Sequence, residues 1–385
     1  MPKRLSLVYL ARMRERYKNA PKRIKSQILS EFCANSDYTR KHATRILSSK
    51  LEPRKRRPGP KPKYGAEVIH HLHVLWVAMN RICSKKMKAA LPLWLNFYKD
   101  ANADIKTQLM SMAASTIDKK LHPYRGPVPK GKSTTRGLKM MMSKIPLKLL
   151  EGEIEVPGFT EMDTVAHCGD DIAGTYTHSI TMTDLFSGWT ENSSVWTKEA
   201  EQVLKKIKKL ESRLPFELQG CAVDNGSEFM NQHLAKYFFD RPTPIDFVRR
   251  RAYKKNDNAH VEQKNFTHVR ELFGYERFDT FELSILMDEI YQAYWNPLNN
   301  YFIPSLKLIS KERIGSKIKK KYDQPKTPCQ RLLESDKVSA QVKRQLRHNL
   351  NYKNPFFLKK ELEMKLKIFH NRVEELKRQK QMTGS

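Results

Sequence analysis

Three carboxylates stand where their neighbours suggest chemistry. Asp163 lies in Phe-Thr-Glu-Met-Asp-Thr-Val-Ala (159–166), an alternating run that predicts a strand. Asp224 closes the apolar run Leu-Gln-Gly-Cys-Ala-Val (218–223) and is followed by Asn225-Gly226-Ser227-Glu228-Phe229. Glu262 lies in Asn-Asp-Asn-Ala-His-Val-Glu-Gln-Lys-Asn (256–265), where a helix is predicted over 258–273. The separations are 61 and 38 positions. Carboxylates brought together repel one another unless a cation sits between them. Oxygen-only ligands favour Mg²⁺ or Mn²⁺ over zinc. Two such ions can activate a nucleophile and stabilise the leaving oxygen of a phosphodiester. Asn225-Gly226 supplies a sharp turn after the second aspartate.

The three groups meet only if the intervening elements bring them together. After 159–166, strands are predicted at 175–183 and from Gly188 through Val195-Trp196. A charged helix follows at 198–213, then strand 218–224, helix 227–239, strand 244–248 and helix 258–273. That order describes a mixed α/β sheet. If its first and fourth strands are neighbours, Asp163 and Asp224 converge and the Glu262 helix closes the site from the side. Asp184 ends the second strand and reads as a brace of the sheet, while Asp170 and Asp171 fall in a turn. Glu228 reads as a cap or ion-pair residue, Asp257 as part of a helix cap, and Trp189 and Trp196 as core or interface.

Charge surrounds this centre unevenly. The 385 residues carry a net +31, with +15 in residues 1–64, −2 in 158–265 and +13 in 310–385. Basic flanks attract polyanions through counterion release, which makes nucleic acid the leading partner. Residues 1–50 read as short helices, with a break at Ala34–Asp37 and a basic second helix bearing Arg40, Lys41 and Arg45. This fits a DNA-binding helix-turn-helix or an ordinary helical hairpin. Residues 51–65 form a basic, proline-rich linker, in which Arg54, Lys55, Arg56, Arg57, Lys61 and Lys63 could track phosphates or a minor groove. A solvated spacer or a nuclear import signal fits the same run. Residues 66–124 read as a second helical DNA-binding block, with Lys119 and Lys120 on a candidate recognition helix. A basic connector spans 125–157, the α/β core 158–310 and a basic helical C-terminal region 311–385. Leu358, Leu362, Leu366, Phe369, Val373 and Leu376 form a stripe suited to pairing with another protomer or to packing on the chain's own core.

Glu-Met-Asp163, Val-Asp224-Asn-Gly-Ser-Glu-Phe and Asn-Asp-Asn-Ala-His-Val-Glu262-Gln-Lys-Asn resemble the three motifs of DDE transposases of bacterial insertion sequences, in the retroviral-integrase catalytic-core superfamily. Thr183-Asp184-Leu185-Phe186-Ser187-Gly188-Trp189 resembles the segment that follows the first aspartate there. The likeness covers about 158–310, with Tyr322–Pro328 as a weaker continuation. It implies a multidomain chain with an RNase H-like core between helical flanks. It further implies that Asp163, Asp224 and Glu262 bind two Mg²⁺ or Mn²⁺ ions, cut the element's ends and join the 3′-hydroxyl to target DNA. Lys264 and Arg270 would contact phosphate near the site. The expected partners are duplex DNA and at least one further copy of the chain, with room for an accessory ATPase. The second gap is longer than in the common retroviral pattern, and the zinc module of retroviral integrases is not evident: His70, His71 and His73 have only Cys83 nearby. An RNase H-like nuclease that does not join, or a non-catalytic DNA-binding regulator, are the alternatives.

Other classes fit poorly. The five cysteines form no CxxC pair, which points to a reducing compartment. No apolar run is long enough to span a bilayer, and the N-terminus lacks a secretory pattern. A cytoplasmic, nucleoid-associated bacterial protein is the expectation.

Overall fold

The computed structural model describes residues 7–49, 63–125, 154–223, 229, 231–243, 245–249 and 264–383. Two compact units separate at residues 63 and 64.

The first unit contains α1 (Leu7–Asn19), α2 (Lys22–Ser36) and α3 (Arg40–Ser48) around Met13, Ile28, Leu29, Phe32, Ala43 and Leu47. Helix α2 runs on through Ala34–Ser36, so the break falls later than the sequence suggests. Asp37, with φ 57°, ends it in the left-handed region, and its amide donates to Cys33 O.

In the second unit, α4 (Ala66–Ala78), α5 (Ser84–Leu95), α6 (Ala103–Ser111) and α7 (Ala114–Leu121) precede the sheet. The sheet contains β1 (Phe159–Ala166), β2 (His178–Asp184), β3 (Thr190–Val195), β4 (Gly220–Val223) and β5 (Asp246–Arg249), in the order β3-β2-β1-β4-β5. The first three strands are antiparallel, and β4 and β5 run parallel to β1. The expected adjacency of the first and fourth strands is therefore present. A mixed five-stranded sheet with flanking helices is the core of this unit.

The two faces of the sheet differ sharply. Met162, Ile180, Met182, Cys221, Val223 and Phe247 pack in one apolar cluster with α8 (Ala200–Glu211) and α9 (Gln232–Phe239). On the opposite face, Asp163, Thr181 and Asn192 form one row across β1, β2 and β3. A π-helical segment, Asn265–Arg270, continues into the short helix Glu271–Phe273; together they form α10. Residues 281–302 form one rod: α11 (Phe281–Ile290), a π-helical stretch (Tyr291–Trp295) and α12 (Asn296–Phe302).

This rod covers the free edge of β3. Asn300 Oδ1 accepts from Thr190 N and its Nδ2 donates to Thr190 O, each at 2.9 Å. Asn296 makes the same exchange with Asn192 N and O at 3.1 and 3.0 Å. Asp288 Oδ1 accepts from Ser194 N at 3.3 Å, and Ser194 Oγ donates to Ser284 O. These side chains stand in for a neighbouring strand and give the backbone of this buried polar edge its partners at Thr190, Asn192 and Ser194 N. Asp184 braces the other end of the hairpin. Its carboxylate accepts from Gly158 N, Ser187 N and Ser187 Oγ, while burial outweighs those bonds and pushes its pKa up to about 6.

After the rod come β6 (Leu308–Ile314) and β7 (Lys317–Tyr322), a two-stranded ribbon at the start of the segment expected to be helical. Gly315, with φ 60°, makes the two-residue turn that a hairpin requires. Helices α13 (Pro328–Glu334), α14 (Ala340–Tyr352) and α15 (Pro355–Thr383) complete the chain. The apolar stripe of α15 packs on its own unit: Phe369 meets Phe273 and Phe278 at ring-centroid distances of 5.1 and 5.0 Å. One cluster joins α4–α7 to the rod and the last three helices; within it Trp94 donates to Phe302 O at 3.0 Å. Among the described residues, no helix is long and apolar enough to cross a membrane.

Candidate active site

Asp163 is half-buried in β1, three residues from its C-terminal end. Its Oδ1 accepts from Thr164 N at 2.7 Å, and its Oδ2 accepts from Asn265 Nδ2 at 2.6 Å. The second bond joins the strand to the start of α10, only three residues after Glu262 in sequence. The β1–β4 ladder runs from Phe159↔Gly220 to Met162↔Val223. Its last pair thus comprises the residues immediately preceding Asp163 and Asp224. Asp224 and Glu262 themselves lie outside the described residues, as do Asn225, Gly226, Glu228 and Asp257.

A buried polar chain runs beneath this point. Asn192 Nδ2 donates to Thr181 Oγ1 at 2.9 Å. His268 Nδ1 donates to Asn192 Oδ1 at 3.3 Å, which leaves His268 Nε2 to accept from Lys264 Nζ at 3.4 Å. That tautomer follows from the hydrogen-bond pattern. Burial, with Lys264 and Lys86 nearby, holds His268 well below its usual range, so the ring is neutral. Burial also lowers the Lys264 ammonium to about 7, with Lys86 and Arg331 adding to the effect.

The remaining expected contacts are dispersed. Arg40 ties α3 to α2 through Ser30 Oγ at 2.9 Å and Ser26 Oγ at 2.6 Å. Lys41 and Arg45 are exposed, and Arg45 donates to His42 Nδ1 at 3.0 Å. Lys63 and Lys119 are exposed and Lys120 is half-buried. Arg54, Lys55, Arg56, Arg57 and Lys61 lie outside the described residues. Arg270 donates to Ala166 O at 3.0 Å and Gly274 O at 3.4 Å, and its guanidinium lies 4.7 Å from the centre of the Tyr275 ring. Those bonds fasten α10 to the end of β1. Sequence reasoning missed Asn265, His268, Asn192 and Thr181; the four-residue spacing of Lys264 and His268 was the available signal.

Asp163 offers a hard oxygen donor already held by two hydrogen bonds, which suits Mg²⁺ or Mn²⁺. Among the described residues, no group of three or more His, Cys, Asp or Glu could hold a metal ion.

No family model matches the chain. Among solved structures, the catalytic core domain of BIV integrase is 20% identical, with a TM-score of 0.24 over 31% of this chain and 70% of that one. A simian T-cell lymphotropic virus intasome in complex with PP2A regulatory subunit B56 gamma is 15% identical, with a TM-score of 0.28; the match covers 47% of this chain and 59% of that one. The uncharacterized protein y4rM of Sinorhizobium fredii (strain NBRC 101917 / NGR234) is 35% identical over 325 residues, 82% of this chain and 92% of its own length. The chain belongs to the family of this Sinorhizobium protein.

Proposed function

We propose that the chain is a DNA transposase with an RNase H-like core, which cuts the ends of its element and joins the freed 3′-hydroxyl to target DNA. The observation that carries this reading is the convergence on Asp163. Asn265, the last residue of the Glu262 motif, donates to it from the start of α10, and the β1–β4 ladder ends at Met162↔Val223, whose members immediately precede Asp163 and Asp224. In this reading Asp163, Asp224 and Glu262 hold two Mg²⁺ or Mn²⁺ ions. Such ions, when bound, lower the pKa of a water and stabilise the leaving oxygen of an in-line displacement. Asn265 and the Thr164 amide fix the Asp163 carboxylate. Lys264, two residues after Glu262 and bonded to His268 Nε2, is the candidate hydrogen-bond donor to the reacting phosphodiester. Helices α2 and α3, and α6 and α7, serve as helix-turn-helix pairs that hold the element's ends. Two ends joined to one target require at least two copies of the chain.

A supercoiled plasmid carrying the gene and its native flanks tests this. With purified protein and Mg²⁺, nicks at two inverted ends and joined product are expected, and EDTA should abolish both. Nicks without joined product would favour a nuclease. Tight binding without nicks, with or without metal, would leave a regulator and refute the catalytic reading. Asn265→Ala is expected to weaken metal affinity or lower cleavage by ~10–100-fold, as loss of a bond that orients a ligand does. A metal titration of cleavage rate measures it; an unchanged profile would remove Asn265 from the site.

A further inference from the structure

The β6–β7 ribbon is held firmly at its base and left bare along its length. At the base, Arg331 NH1 donates to Ser305 Oγ at 2.7 Å and Lys326 O at 3.0 Å. Its NH2 donates to Ser305 O at 3.0 Å and Asp323 Oδ2 at 2.8 Å. Asp323 closes the same junction by accepting from Lys307 N at 2.6 Å and donating its own amide to Lys307 O at 2.9 Å. Lys307 Nζ then donates to Phe186 O at 2.7 Å, which fixes the junction to the β2–β3 turn. This cluster includes residues of the Tyr322–Pro328 segment that extends the family resemblance.

Beyond the base, every residue of 308–322 whose side chain is described is exposed. Ile309, Ile314 and Ile318 are 55%, 56% and 54% exposed. A two-stranded hairpin is marginally stable alone, so a chain that anchors one this well and leaves it bare has a use for its surface. The sequence of 308–322 holds six Lys and Arg against one Glu. Arg313, Ile318 and Lys320 share one face, while Glu312, Lys319, Lys321 and Ile314 share the other. Cations on both faces leave no apolar face for a bilayer. Like charge, and lysines along the edges, oppose pairing with a second copy of the ribbon.

We infer that this ribbon is a DNA-binding arm that enters the major groove of a B-form duplex and meets phosphates on both sides. A two-stranded ribbon fits that groove, which is ~12 Å wide, whereas the deep, narrow major groove of A-form RNA excludes it. The choice of DNA rests on the function proposed above; the ribbon's part in binding it does not.

The test is a salt titration of duplex affinity by fluorescence anisotropy, using the full chain and a labelled duplex of arbitrary sequence. The variant is Lys319→Gln with Lys320→Gln and Lys321→Gln; all three side chains are exposed, so its melting temperature should match the parent's. Its affinity at ~50 mM salt should fall by about tenfold or more, and the slope of log affinity against log salt should become shallower by about 3. A control carrying Lys360→Gln, Lys367→Gln and Arg378→Gln loses the same charge from exposed positions on α15 and should keep the parent slope. A parent slope in the ribbon variant would overturn the inference and leave the proposed function standing. Failure of the parent to bind duplex DNA at all would overturn both. Tighter binding to an RNA duplex, or a DNA-independent dimer lost in the ribbon variant, would assign the ribbon to another partner.

Discussion

Asp163→Asn is expected to lower strand cleavage by at least ~10³-fold while leaving duplex affinity nearly unchanged. The substitution keeps the shape of the side chain. An asparagine oxygen can still accept from Thr164 N or Asn265 Nδ2, the two donors that hold the carboxylate at 2.7 and 2.6 Å. What it removes is a negative charge where three carboxylates are proposed to share metal ions. A ~10³-fold loss corresponds to ~4 kcal/mol of transition-state stabilisation, within the range that metal ions supply. Clustered carboxylates repel in the absence of metal. The metal-free variant should therefore be as stable as the parent or slightly more so, a combination that a merely structural aspartate would not give. Single-turnover cleavage and thermal unfolding in EDTA measure the two effects. A variant that unfolds more readily and cleaves at the parent rate would place Asp163 in the scaffold and end the catalytic reading.

The parts of this site that depend on local pattern were legible in the sequence. Alternation places β1 at 159–166, as observed, and the spacing of apolar residues marks α8 and α15. The adjacency of β1 and β4 was the condition under which the two aspartates could converge, and the sheet meets that condition. Residues whose roles depend on distant partners could not be read. Asn265 acts on a carboxylate 102 positions away, and a helical asparagine carries no mark of that. The strand Thr-Glu-Asn-Ser-Ser-Val looks like a solvated surface, yet all six residues are buried. Its cover is equally deceptive. Ser284, Asp288, Gln292, Asn296 and Asn300 recur every four residues along the rod, and such a polar stripe ordinarily faces water. Here it faces the open edge of β3, whose backbone supplies its partners. The α15 stripe announced a buried face without saying against what; the answer is the Phe273–Phe278 region of the same unit.

Asp288→Asn is expected to destabilise the second unit by about 3 kcal/mol, by the same amount at pH 5 and pH 8. Asp288 is the charged member of the stripe. Ser193 Oγ donates to its Oδ1 at 2.5 Å, Lys206 Nζ and Lys209 Nζ reach its Oδ2 at 2.9 and 3.4 Å, and Gln292 also donates to Oδ2. Burial raises its pKa, but the Ser193 bond, Lys206 and Gln292 outweigh burial and hold it at about 2. Removing one partner of a buried pair costs roughly 3–5 kcal/mol, because the other charge is stranded. The lower end applies here, since the Lys206 side chain is 24% exposed and can turn toward water. A folded pKa below the unfolded value of ~3.9 gives stability that is complete above about pH 4 and lost as pH falls through about 2. Hence the deficit is flat from pH 5 to 8. Glu191, in the same seam, behaves in the opposite way. Burial pushes it up to about 7 despite donors from Trp189 and Asn296 and the nearby charge of Arg213. A raised folded pKa gives stability that is complete below the unfolded value and lost as pH rises through about 7. Glu191 and the other shifted groups titrate in parent and variant alike, so the two curves should run parallel between pH 5 and 8, about 3 kcal/mol apart. Urea unfolding across that range gives both curves. Curves that meet at either end would show that Asp288 titrates there and that its lysine pairing does not hold it ionised.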